Sequence, residues 1–170
     1  MMVKITDRIY ISDWPTVKTI LDNPPHHGIS DPYQYFIFLC VAKELHHDNP
    51  YFYNLKHFRL TDVPFEVGLP TLTEIFYTSH HMKLALNTIH ESLVIYSPDT
   101  KIIIFCNGGL SRSPVVVATY LALVGFGFDE AVKFVESKHP ACQMNQTLLD
   151  MGRTLVSDRI LFSLRMKNNV

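Results

Sequence analysis

"KIIIFCNGGLSRSP", residues 101–114, runs from a lysine through four apolar residues to Cys106, then past Gly108 and Gly109 to Arg112, which Ser111, Ser113 and Pro114 enclose. The short β-branched run predicts a central strand, and "SPVVVATYLALVGFG" after it predicts a buried helix with Pro114 near its first position and Gly125 near its end. Between them the glycines permit a tight turn. A helix N-terminus carries unpaired N–H groups and partial positive charge, so the segment Cys106–Arg112 sits where an anion would be cradled. The same field favours a thiolate over a thiol. An ordinary cysteine is only about 3% thiolate at pH 7, and stabilising the charged form makes it a nucleophile. Arg112 adds a planar fork able to hold two oxygens of one phosphate, so nucleophile and oxyanion clamp share one loop.

Outward from this segment, strands alternate with helices. "KITDRIYIS" reads as a first strand, "YQYFIFLCVA" as a strand buried on both faces, and "KHFRL" as a third. "DNPPHHGISDP" is a loop by its prolines, glycine and aspartates, and "TDVPFEVGLP" breaks the pattern again. Thr71 with Glu74 fits a capping box, opening a long helix to about Tyr96 that is expected to break near His80-His81. "DEAVKFVESK", opened by Asp129, and "NQTLLDMGRTLVSDRILFSL", opened by Asn145, predict two more helices. The expected fold is α/β, a central mixed, mostly parallel sheet flanked by helices with a phosphate-binding loop between strand and helix, in one domain over 1–170.

Composition narrows the function classes. The chain is 47% hydrophobic and 18% charged with net charge −1, and its basic residues are scattered, which argues against nucleic acid as a partner. Three cysteines, Cys40, Cys106 and Cys142, do not form a disulfide framework, and no apolar stretch is long enough to span a bilayer. These features predict a soluble protein of a reducing compartment, cytoplasmic or nuclear. The histidine doublets His26-His27, His46-His47 and His80-His81 lack the helical spacing that suits zinc, so no metal site is expected.

"CNGGLSRS" resembles the cysteine-x5-arginine signature of the protein tyrosine phosphatase superfamily, and its ending is similar to the dual-specificity branch. "ITDRIYIS" is similar to that branch's opening strand, "LTDVP" to the segment carrying its general acid, and "KHPACQMNQTLLDM" to its arginine-proline-x3-proline-asparagine segment. The resemblance spans nearly the whole chain. It implies hydrolysis of phosphotyrosine and of phosphoserine or phosphothreonine on a protein substrate through a phosphocysteine intermediate, with no cofactor. Cys106 would be the nucleophile, and Arg112 with the backbone of Asn107, Gly108, Gly109, Leu110 and Ser111 would bind the phosphoryl group. Ser113 would stabilise the departing thiolate, Asp62 would serve as general acid and then base, and Asn145 would support the loop by hydrogen bonding.

Three positions depart from that pattern. Phe105 replaces the usual histidine before the cysteine, so the loop must be held by other groups. Asp62 lies farther ahead of Cys106 than the branch usually places it, which keeps Glu66 and Glu74 open as alternative acids. Met144 stands where the last segment usually has proline. Two other functions remain on the same scaffold: a phosphoinositide or RNA 5′-phosphatase, and a pseudophosphatase that binds phosphopeptides without turnover. The loop contains no lysine to meet extra phosphates, and retention of both Cys106 and Arg112 favours catalysis. A reactive thiol on such a loop would also be open to oxidation, with Cys40 or Cys142 as its resolving partner.

Overall fold

The computed structural model describes residues 1–22, 36–45 and 71–158, and residues 55–57 by their backbone. Asp62 and Glu66, two of the three candidate acids, lie outside the described residues, as do His26-His27 and His46-His47. Among the described residues one sheet forms from β1 (Met2–Lys4), β2 (Ile9–Asp13), β3 (Phe36–Cys40), β4 (Leu55–His57) and β5 (Lys101–Cys106), in the order β1-β2-β5-β3-β4. Only β1 is antiparallel to its neighbour. The mixed, mostly parallel α/β architecture is therefore the observed one. "KIIIFC" fills the middle of the sheet because its residues from Ile102 to Cys106 are all buried, as a strand covered on both faces requires.

The first expected strand is instead a hairpin. "KITDRIYIS" is cut by a turn in which the Thr6 hydroxyl accepts from the N–H groups of Arg8 (3.3 Å) and Ile9 (3.0 Å), so a local side-chain acceptor outcompetes the ladder. Helix α1 (Trp14–Asp22) follows β2 directly, and Asp13 starts it by accepting from Thr16 N–H at 2.9 Å. The sequence pattern read above contained no helix there.

Helix α2 (Leu72–Ile95) begins with the expected capping box, Thr71 and Glu74 bonding each other's N–H, and runs through His80-His81 without a break. Its C-terminal end has no basic residue of its own in the last turn. Arg8 supplies one from the hairpin turn, donating to the Leu93 (2.8 Å) and Tyr96 (3.3 Å) carbonyls of the helix end and to Ser97 (3.0 Å) and Thr100 (3.1 Å) in the connection that follows it.

Helix α3 (Arg112–Leu123) is buried from Arg112 through Ala122, the pattern of a helix enclosed on all sides, and it packs on β5, β2 and the later helices. Helix α4 (Phe128–Lys138) starts one residue before the expected Asp129. Gly127 is its N-cap, its N–H donating to Glu130 at 3.3 Å, because Phe128 must already be helical to reach the core, where it is 9% exposed. Asp129 instead pairs with Arg153 on the surface at 2.8 Å. Helix α5 (Gln146–Ser157) opens at Asn145 as expected, the Asn145 Oδ1 accepting from Thr147 and Leu148 N–H at 3.0 and 3.2 Å.

Candidate active site

The carboxyl ends of parallel strands, where neighbouring connections leave in opposite directions, are where an open α/β sheet makes its crevice. Three chain segments meet there: Asp13 of β2 is in register with Cys106 of β5, and Cys40 of β3 with Phe105. Cys106 is buried, while Asn107, Gly108 and Leu110 beyond it are exposed, so the loop is a shallow rim over a recessed sulfur.

What shapes the loop is the direction of its carbonyls. Phe105 O accepts from Val41 N–H (2.9 Å), Asn107 O from Trp14 N–H (3.0 Å) and Leu110 O from Gln143 N–H (2.7 Å). Gly109 O lies 3.0 Å from His139 Nε2, which must be the donor because a carbonyl only accepts. A trans peptide points its N–H opposite to its carbonyl. The Cys106 N–H, opposite the Phe105 carbonyl, still faces the β2 side of the sheet, but the N–H groups of Gly108, Leu110 and Ser111 face away from the surrounding scaffold and toward the concave side of the loop, the arrangement of a nest that suits an anion. Gly109 is the residue that permits this curvature, at φ 69°, whereas Gly108 stays at negative φ. Ser111, the N-cap of α3, makes no side-chain cap, and its hydroxyl accepts from Asn145 N–H at 3.3 Å. Asn145 thus reaches the loop through its backbone N–H, while its side-chain Oδ1 caps α5.

The missing hydrogen-bonding side chain at position 105 has a structural answer. Phe105 is 1% exposed and stacks on Trp14 at 5.8 Å between centroids, so it acts as core beneath the loop while backbone groups and His139 hold the loop from outside. Ser113 is fully buried with its Oγ 3.3 Å from Cys106 Sγ, within reach to stabilise a sulfur anion.

Arg112 is 7% exposed, and a buried guanidinium needs a partner. Glu44 provides one in bidentate form, Nη1 to Oε2 and Nη2 to Oε1, both 2.6 Å. The Arg112 hydrogen bonds hold the Glu44 carboxyl below the usual carboxylate range. Beside it, Lys43 lies over the Tyr77 ring at 5.7 Å, tying the segment after β3 to α2. Glu44 was not among the residues singled out from sequence. Its signal was its place just past the end of β3, the strand beside β5.

Glu74, the described member of the three candidate acids, is occupied by the capping box. Its bonds to the Thr71 N–H and hydroxyl lower its pKa, whereas a general acid needs its proton retained. Among the other thiols, burial pushes Cys40 up to about 12, and burial also raises Cys142. No group of three or more potential metal ligands occurs among the described residues, and no described helix is long and apolar enough to cross a membrane.

No protein-family model matches the chain, and no curated protein does. Solved structures do match its fold. The crystal structure of human DUSP28 superposes with a TM-score of 0.68 at 12% identity, over 92% of this chain and 93% of that one. The human tyrosine phosphatase-like serine/threonine/tyrosine-interacting protein gives 0.67 at 16% identity, over 92% and 96%. PTPMT1 in complex with PI(5)P gives 0.58 at 17% identity, over 93% and 96%. The fold is that of the dual-specificity phosphatases.

Proposed function

We propose that the protein is a cysteine-dependent phosphatase of the dual-specificity branch, acting on phosphotyrosine and on phosphoserine or phosphothreonine in proteins. The observation that carries this reading is the loop that follows Cys106, whose carbonyls at Asn107, Gly109 and Leu110 are tied outward, which turns the N–H groups after them inward just ahead of Arg112 at the start of α3. In the first step the Cys106 thiolate attacks phosphorus and an S–P bond forms as the P–O bond to the substrate breaks. Asp62 gives its proton to the leaving oxygen. In the second step water attacks phosphorus, Asp62 takes its proton, and the S–P bond breaks with the sulfur anion received by Ser113. Arg112 has two bidentate edges: Glu44 takes the Nη1–Nη2 edge, and the phosphoryl oxygens would use the Nε–Nη edge together with the backbone of Asn107 to Ser111.

The PI(5)P in the PTPMT1 structure makes phosphoinositides the second substrate class to assay. Against it, no loop residue from Asn107 to Ser111 is basic. The test is hydrolysis of a small aryl phosphate, then of phosphopeptides and phosphoinositides, across pH 5 to 8. Cys106→Ser should abolish turnover, Arg112→Lys should lower kcat/KM by about 10²–10³-fold, and Asp62→Asn should lower kcat by about 10²-fold or more. A wild type that binds phosphopeptide but never accumulates phosphocysteine in a single turnover would make this a binding module instead.

A further inference from the structure

The outward ties of the phosphate loop are unequal in kind. Three are made by backbone N–H groups, of Val41, Trp14 and Gln143, which no side-chain substitution removes. The fourth, on Gly109 O, is made by a side chain, His139 Nε2 at 3.0 Å. Of the two torsions that turn the Gly109–Leu110 peptide, ψ of Gly109 meets no side chain of its own, so this carbonyl has less steric support than its neighbours and relies more on its hydrogen bond. Rotation of that peptide would turn the Gly109 carbonyl into the cradle and the Leu110 N–H out of it, replacing a donor to the anion by a negative dipole.

We infer that His139 is the positioning residue of the anion cradle: its Nε2–H holds the Gly109 carbonyl outward and thereby aims Leu110 N–H at the bound phosphoryl group. The inference rests on the phosphatase reading for the identity of the anion. The histidine is built to hold still. It is 2% exposed, its own N–H donates to Val135 O at 2.8 Å at the end of α4, and its carbonyl accepts from Cys142 N–H at 3.0 Å. The backbone that carries the ring is thus held on both sides. The hydrogen-bonding side chain that Phe105 cannot supply from beneath the loop is supplied by His139 from the segment between α4 and α5.

The test measures tungstate affinity by titration calorimetry, which needs no turnover, alongside aryl phosphate kinetics. His139→Ala should weaken tungstate binding by about tenfold and raise KM, while His139→Gln, whose amide N–H reaches the same point, should stay within about threefold of wild type. A folded His139→Ala protein that binds tungstate as wild type does would overturn the inference, and so would a His139→Gln protein as weak as the alanine variant. If His139→Ala does not fold, the imidazole ¹⁵N spectrum of the wild type decides: Nε2 must carry a proton whose resonance moves when tungstate binds, and a bare Nε2 refutes the role. A wild type that binds tungstate without hydrolysing aryl phosphate would sink the phosphatase reading alone. One that binds no tungstate would sink the cradle itself.

Discussion

Adding one methyl group to each of the adjacent glycines separates the loop geometry from mere glycine content. At Gly109, φ is 69°, and an added Cβ would lie 2.9 Å from Ser12 O and 3.0 Å from Ser12 C, both backbone atoms of β2 that cannot rotate away. The left-handed conformation costs a non-glycine residue about 1–2 kcal/mol, and the forced shift of packed backbone adds about 1–2 more. Gly109→Ala should therefore lose about 2–4 kcal/mol, a fall in Tm on the order of 5–15 °C for a domain of this size. At Gly108 the nearest atoms to an added Cβ are the side-chain carbons of Leu110 at 3.8 and 3.9 Å, ordinary contact at negative φ. Gly108→Ala should stay within about 1 kcal/mol of wild type, helped by the smaller conformational freedom of its unfolded chain. Thermal melts give the stability difference, and tungstate titration shows whether the cradle survives. Equal melting temperatures for the two variants, or a Gly109→Ala protein with wild-type affinity, would mean that the loop does not have the backbone described.

Three further outcomes follow from side-chain partners. Glu44→Gln should remove about 1 kcal/mol of stability, less than a fully buried charged pair because about half of the Glu44 side chain (48%) meets water, and should lower kcat/KM several-fold by loosening Arg112. Because the folded pKa of Glu44 is depressed, its contribution is present above the ordinary glutamate value of about 4.3 and lost as pH falls through the folded one. Melts of wild type and Glu44→Gln should accordingly converge in acid. Arg8→Lys should cost about 2 kcal/mol, since an ammonium cannot span the four carbonyls the guanidinium reaches, and hydrogen exchange should rise first at the end of α2. Cys40 has the opposite sign: its raised thiol pKa favours the folded state up to the ordinary thiol value of about 8.5, and that stability is lost as pH rises toward about 12, at up to about 1.4 kcal/mol per pH unit. Cys40→Ala should flatten the alkaline side of the stability profile, and an unchanged profile would contradict the burial of this thiol.

What the sequence disclosed were arrangements closed within a few residues. The Thr71–Glu74 capping box, the Asn145 cap and the strand-loop-helix of residues 101–123 each carry cause and effect in adjacent positions, so they could be read one at a time. The hairpin at Thr6 was equally local, but the apolar alternation on either side masked the turn. Arg8 with the end of α2, and Arg112 with Glu44, join residues 85 to 92 and 68 positions apart. Nothing in either partner's neighbourhood encodes the other, because the first pair exists only once the parallel sheet has set β2 beside β5, and the second only once it has set β3 there.

His139 stands between these cases. It is 30 positions from Gly109, yet it occupies the arginine place of the arginine-proline segment that "KHP" resembles, so a motif drew attention to the stretch without revealing the contact. The reason lies in how an oxyanion cradle is made. Its chemistry is carried by backbone N–H groups, identical in every sequence, and specificity enters through whatever fixes their direction. For this loop the directions of the Gly108 and Ser111 N–H groups are set by the fold, and that of Leu110 by a side chain that arrives from another segment. A reading that scores the loop's own letters finds Cys106 and Arg112 and misses the group that orients the dipoles between them.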